Sequence, residues 1–324
     1  MKTLVFLSLV AACNLGPPSP QPAPSPARPV QLLIEPDAGQ RAVLDLISGA
    51  GRSVWGELYL LTDGAAIDAL AARAAAGCDV RILLEPAPYQ AETANQDAYA
   101  RLAAAGADVR WSTPRFTYTH AKVLVVDHAR LAVLTLNLTA SGLSGNREYA
   151  LLDANPADVT AMEAIFAADR VGSPTTAPAA PLVTSPETTR PTLLGLIASA
   201  QRTLAIETEE LADSAVIAAL SAARARGVAV TLAWPGPAAG AASTGSSTFF
   251  DLASTGAVVR AVSAPPIHGK VIAVDGWSVY VGSANLTATS LDANREVGLR
   301  LDDPSLAQAI ASTVLADAAS GVPP

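Results

Sequence analysis

The sequence predicts an α/β chain built as two homologous halves, packed about a pseudo-twofold axis and sharing one site where they meet. Three observations predict it. First, a motif is written twice: His120-Ala121-Lys122 leads to Asp127, and His268-Gly269-Lys270 leads to Asp275 in the same frame. Each copy reaches an asparagine 17 residues after its histidine, Asn137 and Asn285. Each then reaches an Asn-Arg-Glu triplet whose glutamate stands 28 residues after the histidine, Glu148 and Glu296. Second, residues outside the motif repeat. Glu57 and Glu207, Asp63 and Asp213, Gly77 and Gly227, and Gly106 and Gly256 all stand 150 apart, whereas the two histidines stand 148 apart. The loop before the second motif is therefore two residues shorter. Third, apolar runs of strand length alternate with helical spacing, as in parallel βαβ units. The chain has 3 histidines, and two of them fall in these matched frames. A repeat this long marks a duplication rather than a solenoid.

Residues 1–12 place Lys2 before a short apolar run with a small-residue exit, the layout of a secretory signal peptide. The run is shorter than the ~20 apolar residues a spanning helix needs. Val10-Ala11-Ala12-Cys13 has the pattern of a bacterial lipobox, which makes Cys13 the expected site of lipidation. From Cys13 to Pro29 proline recurs at nearly every second position. Such a segment stays extended near polyproline II, at ~3.1 Å per residue, and reads as a tether on the order of 50 Å long. The expectation is an exported protein of the cell envelope, held to a membrane surface by its lipid anchor.

Folded sequence begins near Val30, and the first half is expected over 30–171. Val43, Leu44 and Ile47 have helical spacing, and 54–61 reads as a strand. Asp63 then caps a helix that ends at Gly77. A second strand over 80–84, a helix over 95–105 and a strand over 109–111 follow. The His-x-Lys strand, a strand over 131–136, another over 149–152 and a helix over 157–168 complete the half. Pro174, Pro178, Pro181 and Pro186 mark an expected linker over 172–186. The order then repeats over 187–324.

Half of the residues are hydrophobic and 15% are charged, which permits a large core and argues against disorder. The net charge of −8 argues against nucleic acid as a partner. The two cysteines allow one disulfide at most, and Cys78, entering an apolar strand, reads as a buried free thiol.

The paired His-x-Lys-x4-Asp motifs, with Gly282-Ser283-Ala284-Asn285 after the second, resemble the phospholipase D superfamily. The resemblance runs over the whole chain after its first ~30 residues, because the sequence around the motifs repeats too. It implies two phospholipase-D-like α/β sandwich halves with the active site at their interface. It also implies cleavage or transfer of phosphodiesters through a phosphohistidine, with neither metal nor cofactor. By the same resemblance His120 is the nucleophile and His268 the general acid and base. Glu148 and Glu296 stand where the family orients each imidazole. Asp127 and Asp275 are supporting residues, more structural than catalytic.

The residues suit that chemistry. Alternation on a strand points a histidine and the lysine two residues on to one face, so one phosphate meets both. Histidine serves as nucleophile or as proton donor near neutral pH. Lys122 and Lys270 bring charge, and Asn137 and Asn285 bring uncharged donors, to the equatorial oxygens. Thr135 and Ser283 supply supporting hydroxyls. One departure stands out: Leu134-Thr135 replaces Gly-Ser in the first copy, and Leu134 is expected to narrow one side of the pocket. Glu57 and Glu207 are second candidates for carboxylates facing the site. His128 reads as a solvated turn residue, and Trp55, Trp111, Trp234 and Trp277 as packing. The expected activity is hydrolysis of phospholipids to phosphatidic acid and head group by a monomer. A nuclease, a phosphatidyltransferase similar to cardiolipin synthase, and a non-catalytic envelope-binding lipoprotein are the alternatives.

Overall fold

The computed structural model describes residues 30–236 and 246–324. The expected signal peptide, Cys13 and the tether lie outside the described residues. The first half runs β1 (Val30–Glu35), α1 (Arg41–Ser48), β2 (Ser53–Leu58), α2 (Gly64–Ala75), β3 (Asp79–Leu84), α3 (Gln96–Ala104) and β4 (Asp108–Trp111). It continues with β5 (Lys122–Val126), β6 (Arg130–Leu134), α4 (Ala140–Ser144), β7 (Glu148–Asp153) and α5 (Pro156–Asp169). The second half repeats this as β8 (Leu182–Ser185), α6 (Thr189–Ser199), β9 (Thr203–Glu207), α7 (Ser214–Ala225), β10 (Ala229–Trp234), α8 (Ser246–Ser254) and β11 (Val258–Ala261). Then come β12 (Val271–Val274), β13 (Ser278–Gly282), α9 (Ala288–Asp292), β14 (Glu296–Asp302) and α10 (Pro304–Ser320).

Each half is one seven-stranded mixed sheet. The orders are β1-β7-β6-β5-β2-β3-β4 and β11-β10-β9-β12-β13-β14-β8. The βαβ units give the parallel part, β2-β3-β4 and β9-β10-β11. Local signals in the sequence set their limits. The Asp63 and Asp213 carboxylates accept from the first-turn amides of α2 and α7. Gly77 and Gly227 follow those helices at φ +88° and +91°, a conformation glycine adopts without strain.

The strands nearest the site are buried on both faces, which is why they read as continuous apolar runs. Along β5, Leu124 and Val126 face an outer core with α1, α2 and α3. Val123 and Val125 face an inner core shared by both halves. That inner core also holds Val159, Met162 and Phe166 of α5, Val271 and Ala273 of β12, and Ile310 and Val314 of α10. The two sheets thus lie on either side of one apolar layer.

Three expectations need correction. The segment 172–186 contains β8, which pairs antiparallel with β14 from Ser185–Glu296 to Leu182–Leu299. The second sheet therefore starts inside the expected linker. Pro181 and Pro186 flank an edge strand, where a missing amide donor costs little. Leu134 does not narrow the pocket: it is buried in the outer core of the first half with Ala132 and Ala150. The counterparts of these three residues are Gly282, Tyr280 and Gly298. A Cβ on Gly282 would meet the Tyr280 hydroxyl at 2.5 Å, and one on Gly298 would meet the Tyr280 ring at 2.4 Å. One half fills this volume with leucine between two alanines, the other with tyrosine between two glycines. Cys78 is only partly buried, with its Sγ 3.7 Å from the Ala50 carbonyl.

Candidate active site

The motif aspartates build the frame. Asp127 and Asp275 adopt φ of 57° and 54° and turn the chain from β5 into β6 and from β12 into β13. The Asp127 carboxylate accepts from the amides of Gly51, Arg52 and Ser53. Asp275 does the same for Gln201, Arg202 and Thr203. Each aspartate ties the far end of the motif strand to the start of its antiparallel neighbour, β2 or β9, remote from the histidines. His128, the next residue in the first turn, is not simply solvated: its Nδ1 lies 2.5 Å from Glu163 on α5 and its ring meets the edge of Trp55.

The two histidines sit just ahead of β5 and β12 rather than within them, and backbone from the opposite half holds them. Thr119 pairs with Arg295, and Ile267 pairs with Arg147, as isolated parallel bridges. The His120 amide donates to the Arg295 carbonyl at 2.9 Å, and the His268 amide donates to the Arg147 carbonyl at 3.2 Å. Each Asn-Arg-Glu triplet therefore docks against the motif of the other half, and the glutamates are exchanged. His120 Nδ1 lies 2.9 Å from Glu296 Oε2, and His268 Nδ1 lies 2.5 Å from Glu148 Oε1. The carboxylate for each imidazole comes from the opposite half, a crossing that spacing along one copy does not reveal. An Nδ1–H given to a carboxylate leaves Nε2 as the reactive nitrogen.

Hydroxyls hold the glutamates. Thr135 Oγ1 donates to Glu148 at 2.5 Å and accepts from the Tyr149 amide at 2.8 Å. Ser283 Oγ takes the second role in the other half, accepting from the Val297 amide at 3.0 Å. Asn294 adds an amide donor to Glu296 at 3.1 Å. Lys122 and Lys270 are each 1% exposed, and each ammonium donates to the carbonyl of its own motif histidine, at 2.7 and 2.5 Å. Asn137 and Asn285 lie three residues beyond β6 and β13, and the side-chain oxygen of each is buried without a hydrogen bond.

Burial shifts these groups. It pushes the His120 imidazole below its ordinary value, Glu296 opposing and Lys122 and Lys270 adding to the shift. It takes the Lys122 ammonium down to about 7, with Lys270 of the other half adding to the effect and Glu296 opposing. Burial works against the Glu296 carboxylate, but His120 and Lys122 hold it below the usual range. Lys270 acts on both residues of the first motif, so the two motifs form one electrostatic unit.

Sequence reasoning missed three groups. Arg147, at the centre of its triplet, reaches Asp317 on α10 at 2.6 Å, Asp37 at 2.6 Å and the Glu35 carbonyl at 2.9 Å. Arg295 mirrors it, fully buried, with Asp169 on α5 at 2.6 Å, Glu187 at 2.7 Å and the Ser185 carbonyl at 2.8 Å. Each arginine thus ties its triplet to the last helix of the other half. The matched Asn-Arg-Glu spacing was the available signal, read only for its glutamate. The third is Glu209, whose Oε2 lies 3.3 Å from His268 Nε2 and 3.2 Å from Lys270 Nζ. Glu57 and Glu207 are not the histidine carboxylates. Both are fully buried, and burial raises them well above the usual range, near the Arg295 and Arg147 clusters respectively.

The site thus offers two oriented imidazoles, two buried ammonium groups and two amides. That set can attack a phosphorus centre, protonate a leaving oxygen and carry charge on the remaining oxygens.

Comparison with known proteins agrees with this inventory. The sequence profile described as cardiolipin synthase, PLD-like domain, matches residues 43–170 and 193–317. No curated protein sequence matches the chain. Among solved structures, polyphosphate kinase from Porphyromonas gingivalis superposes with a TM-score of 0.70 at 17% identity, over 88% of this chain. This chain spans 46% of that enzyme's length. Phosphatidylserine synthase from Haemophilus influenzae superposes with a TM-score of 0.67 at 14% identity, over 89% of this chain and 85% of the other. Nuc from Salmonella typhimurium, a phospholipase D family member, is 28% identical over 44% of this chain and 94% of its own, with a TM-score of 0.40. Both family segments carry a complete motif, and together they span most of the chain: it belongs to the phospholipase D superfamily, with a pair of PLD-like domains of the cardiolipin synthase type.

Proposed function

We propose that the protein is a phospholipase D-type phosphodiesterase that hydrolyses phospholipids to phosphatidic acid and a free head group. One observation carries this reading: two histidines, each held by a buried glutamate of the opposite half, beside two buried lysines. In the first step His120 Nε2 attacks phosphorus, forming the N–P bond as the P–O bond to the head-group alcohol breaks. His268 gives its Nε2 proton to that oxygen. In the second step His268 takes a proton from water, whose oxygen displaces His120 from phosphorus. The lowered imidazole of His120 suits the nucleophile, which must enter neutral. Lys122, Lys270, Asn137 and Asn285 stabilise the equatorial oxygens in both steps.

Transfer of the phosphatidyl group to an alcohol in place of water is the second reading, and the match to a cardiolipin synthase domain favours it. Both readings use one intermediate. A single experiment separates them: mixed phospholipid vesicles are incubated with and without a primary alcohol, in the presence of a chelator, and the lipid products are resolved. Phosphatidic acid without alcohol supports hydrolysis. A product only with alcohol supports transfer. Loss of all turnover in chelator, restored by a metal ion, would refute the phosphohistidine scheme.

We also propose that the protein is exported, anchored through Cys13, and active as a monomer, since both motifs are in one chain. Palmitate labelling abolished by Cys13→Ala supports the anchor. A mature N-terminus beyond residue 13 refutes it.

A further inference from the structure

The two halves differ at one position that faces the chemistry. Tyr59 and Glu209 share the 150-residue offset of Glu57 and Glu207, two residues before them. In the first half the Tyr59 ring packs against His120 at 4.4 Å, with Lys122 Nζ 4.9 Å from its centre. In the second half a carboxylate takes that place. Glu209 Oε2 lies against His268 Nε2 and Lys270 Nζ, and the side chain is 38% exposed. Its hydrogen bond from Lys270 and its contact with His268 both run through Oε2.

A counter-ion for Lys270 does not account for Glu209. Lys122 is buried to the same 1% and has an aromatic ring at the equivalent place. Nor does an anionic phosphodiester call for it, because a carboxylate beside the phosphate seat repels one. The charge makes sense if the substrate carries a positive group there. His268 Nε2 gives its proton to the leaving alcohol, so that alcohol departs past Glu209. A carboxylate accepts hydrogen bonds from a primary ammonium. A quaternary ammonium has no N–H to give and is held by aromatic faces. The aromatic residues Tyr59 and Tyr118 pack on the opposite, His120 side.

We propose that Glu209 selects phosphodiesters whose leaving alcohol carries a primary ammonium group, over those with a quaternary ammonium or an uncharged polyol. This rests on the phosphodiesterase reading, with His268 as the acid that meets the leaving alcohol. The bonds exchanged are those of the first step: N–P forms at His120, P–O breaks, and the His268 proton passes to the amino alcohol's oxygen. The ammonium stays protonated against Glu209.

The test has two arms. In the first, kcat/KM is measured on phosphatidylethanolamine, phosphatidylcholine and phosphatidylglycerol in neutral mixed micelles, for the wild type, Glu209→Gln and Glu209→Tyr. In the second, calorimetry measures binding of soluble glycerophosphoethanolamine, glycerophosphocholine and glycerophosphoglycerol to the same proteins. The wild type is expected to favour the ethanolamine compounds by about 10-fold or more, the size of a charge-assisted hydrogen bond. Both variants are expected to collapse that preference. Binding preference that depends on Glu209, without turnover of any lipid, upholds the selection and overturns the phospholipase reading. Turnover without head-group preference, or variants that lower all three substrates alike, overturns the selection and leaves Glu209 a positioning group for His268. Absence of preference in both arms overturns it as well.

Discussion

Exchanging the glutamates between halves makes a prediction that a motif-by-motif view would get backwards. Glu148 stands in the first half but serves His268, and Glu296 stands in the second but serves His120. Replacing either by glutamine keeps the shape and an acceptor oxygen while removing the charge. A hydrogen bond to a charged group contributes ~1.5–3 kcal/mol, which corresponds to roughly 10- to 150-fold in rate if it is lost only in the transition state. On a phospholipid both variants should lose activity in that range. The difference appears on an activated ester with a nitrophenol leaving group, which needs no general acid in the first step. Glu148→Gln should recover much of its loss there, in parallel with His268→Ala, and accumulate phosphate on His120. Glu296→Gln should not recover, in parallel with His120→Ala. Stopped-flow release of nitrophenol and trapping of the phosphorylated peptide read both. If Glu148→Gln instead behaves like the His120 variant, the crossed pairing does not operate in catalysis. If phosphate appears on the His268 peptide, the two roles are reversed.

Four further outcomes follow from the packing. Lys122, held at about 7 when folded, binds fewer protons than in the unfolded chain, whose value lies near 10.5. The unfolded state therefore binds more protons between about 7 and 10.5, and stability should rise with pH through that window. Urea denaturation should show the rise and Lys122→Met should flatten it. Arg295→Ala strands Asp169 and Glu187 in the interior and should cost about 3–5 kcal/mol by the same measurement. Breaking the exposed Arg41–Asp45 pair should cost under about 1 kcal/mol. Gly269→Ala puts a Cβ 2.8 Å from Tyr149 Cε2 and 3.0 Å from Glu207 Oε2, and should cost about 1–3 kcal/mol. Adding Tyr149→Val should recover part of it, since the other half carries Ala121 and Val297 at these places. No recovery would show that the glycine answers to Glu207 or to the backbone.

Much of this was legible in the chain. The duplication, the strand and helix order and the motif residues follow from spacing and apolar patterning, because these are local or repeat in register. What escaped was set by contacts across the pseudo-twofold axis. Glu148 and Glu296 were read as histidine partners, but nothing within one copy says which histidine each serves. The arginine between each Asn and Glu has one carboxylate partner on the last helix of the other half, Asp317 for Arg147 and Asp169 for Arg295, which the spacing within one copy does not show. Leu134 looked like an obstruction because a glycine stands opposite it. Its neighbours Ala132 and Ala150, and their replacements Tyr280 and Gly298, show a change of outer packing. Strand β8 escaped because two prolines flank it. Glu209 carries no motif, and only comparison with Tyr59 singles it out.

The join between the halves has a consequence for how such a site can change over generations. Two identical subunits closing around one phosphate would share every inherited substitution, and a carboxylate gained on one wall would be gained on both. Here the walls are spelled by separate codons. Tyr59 can stay against His120 while Glu209 stands against His268, and Tyr149 can pack on Gly269 while their counterparts are Val297 and Ala121. The crossed glutamates and arginines keep the two copies mutually dependent, so neither can be lost alone. Within that bond each copy drifts on its own, and the wall around His268 becomes a separate target for selection from the wall around His120.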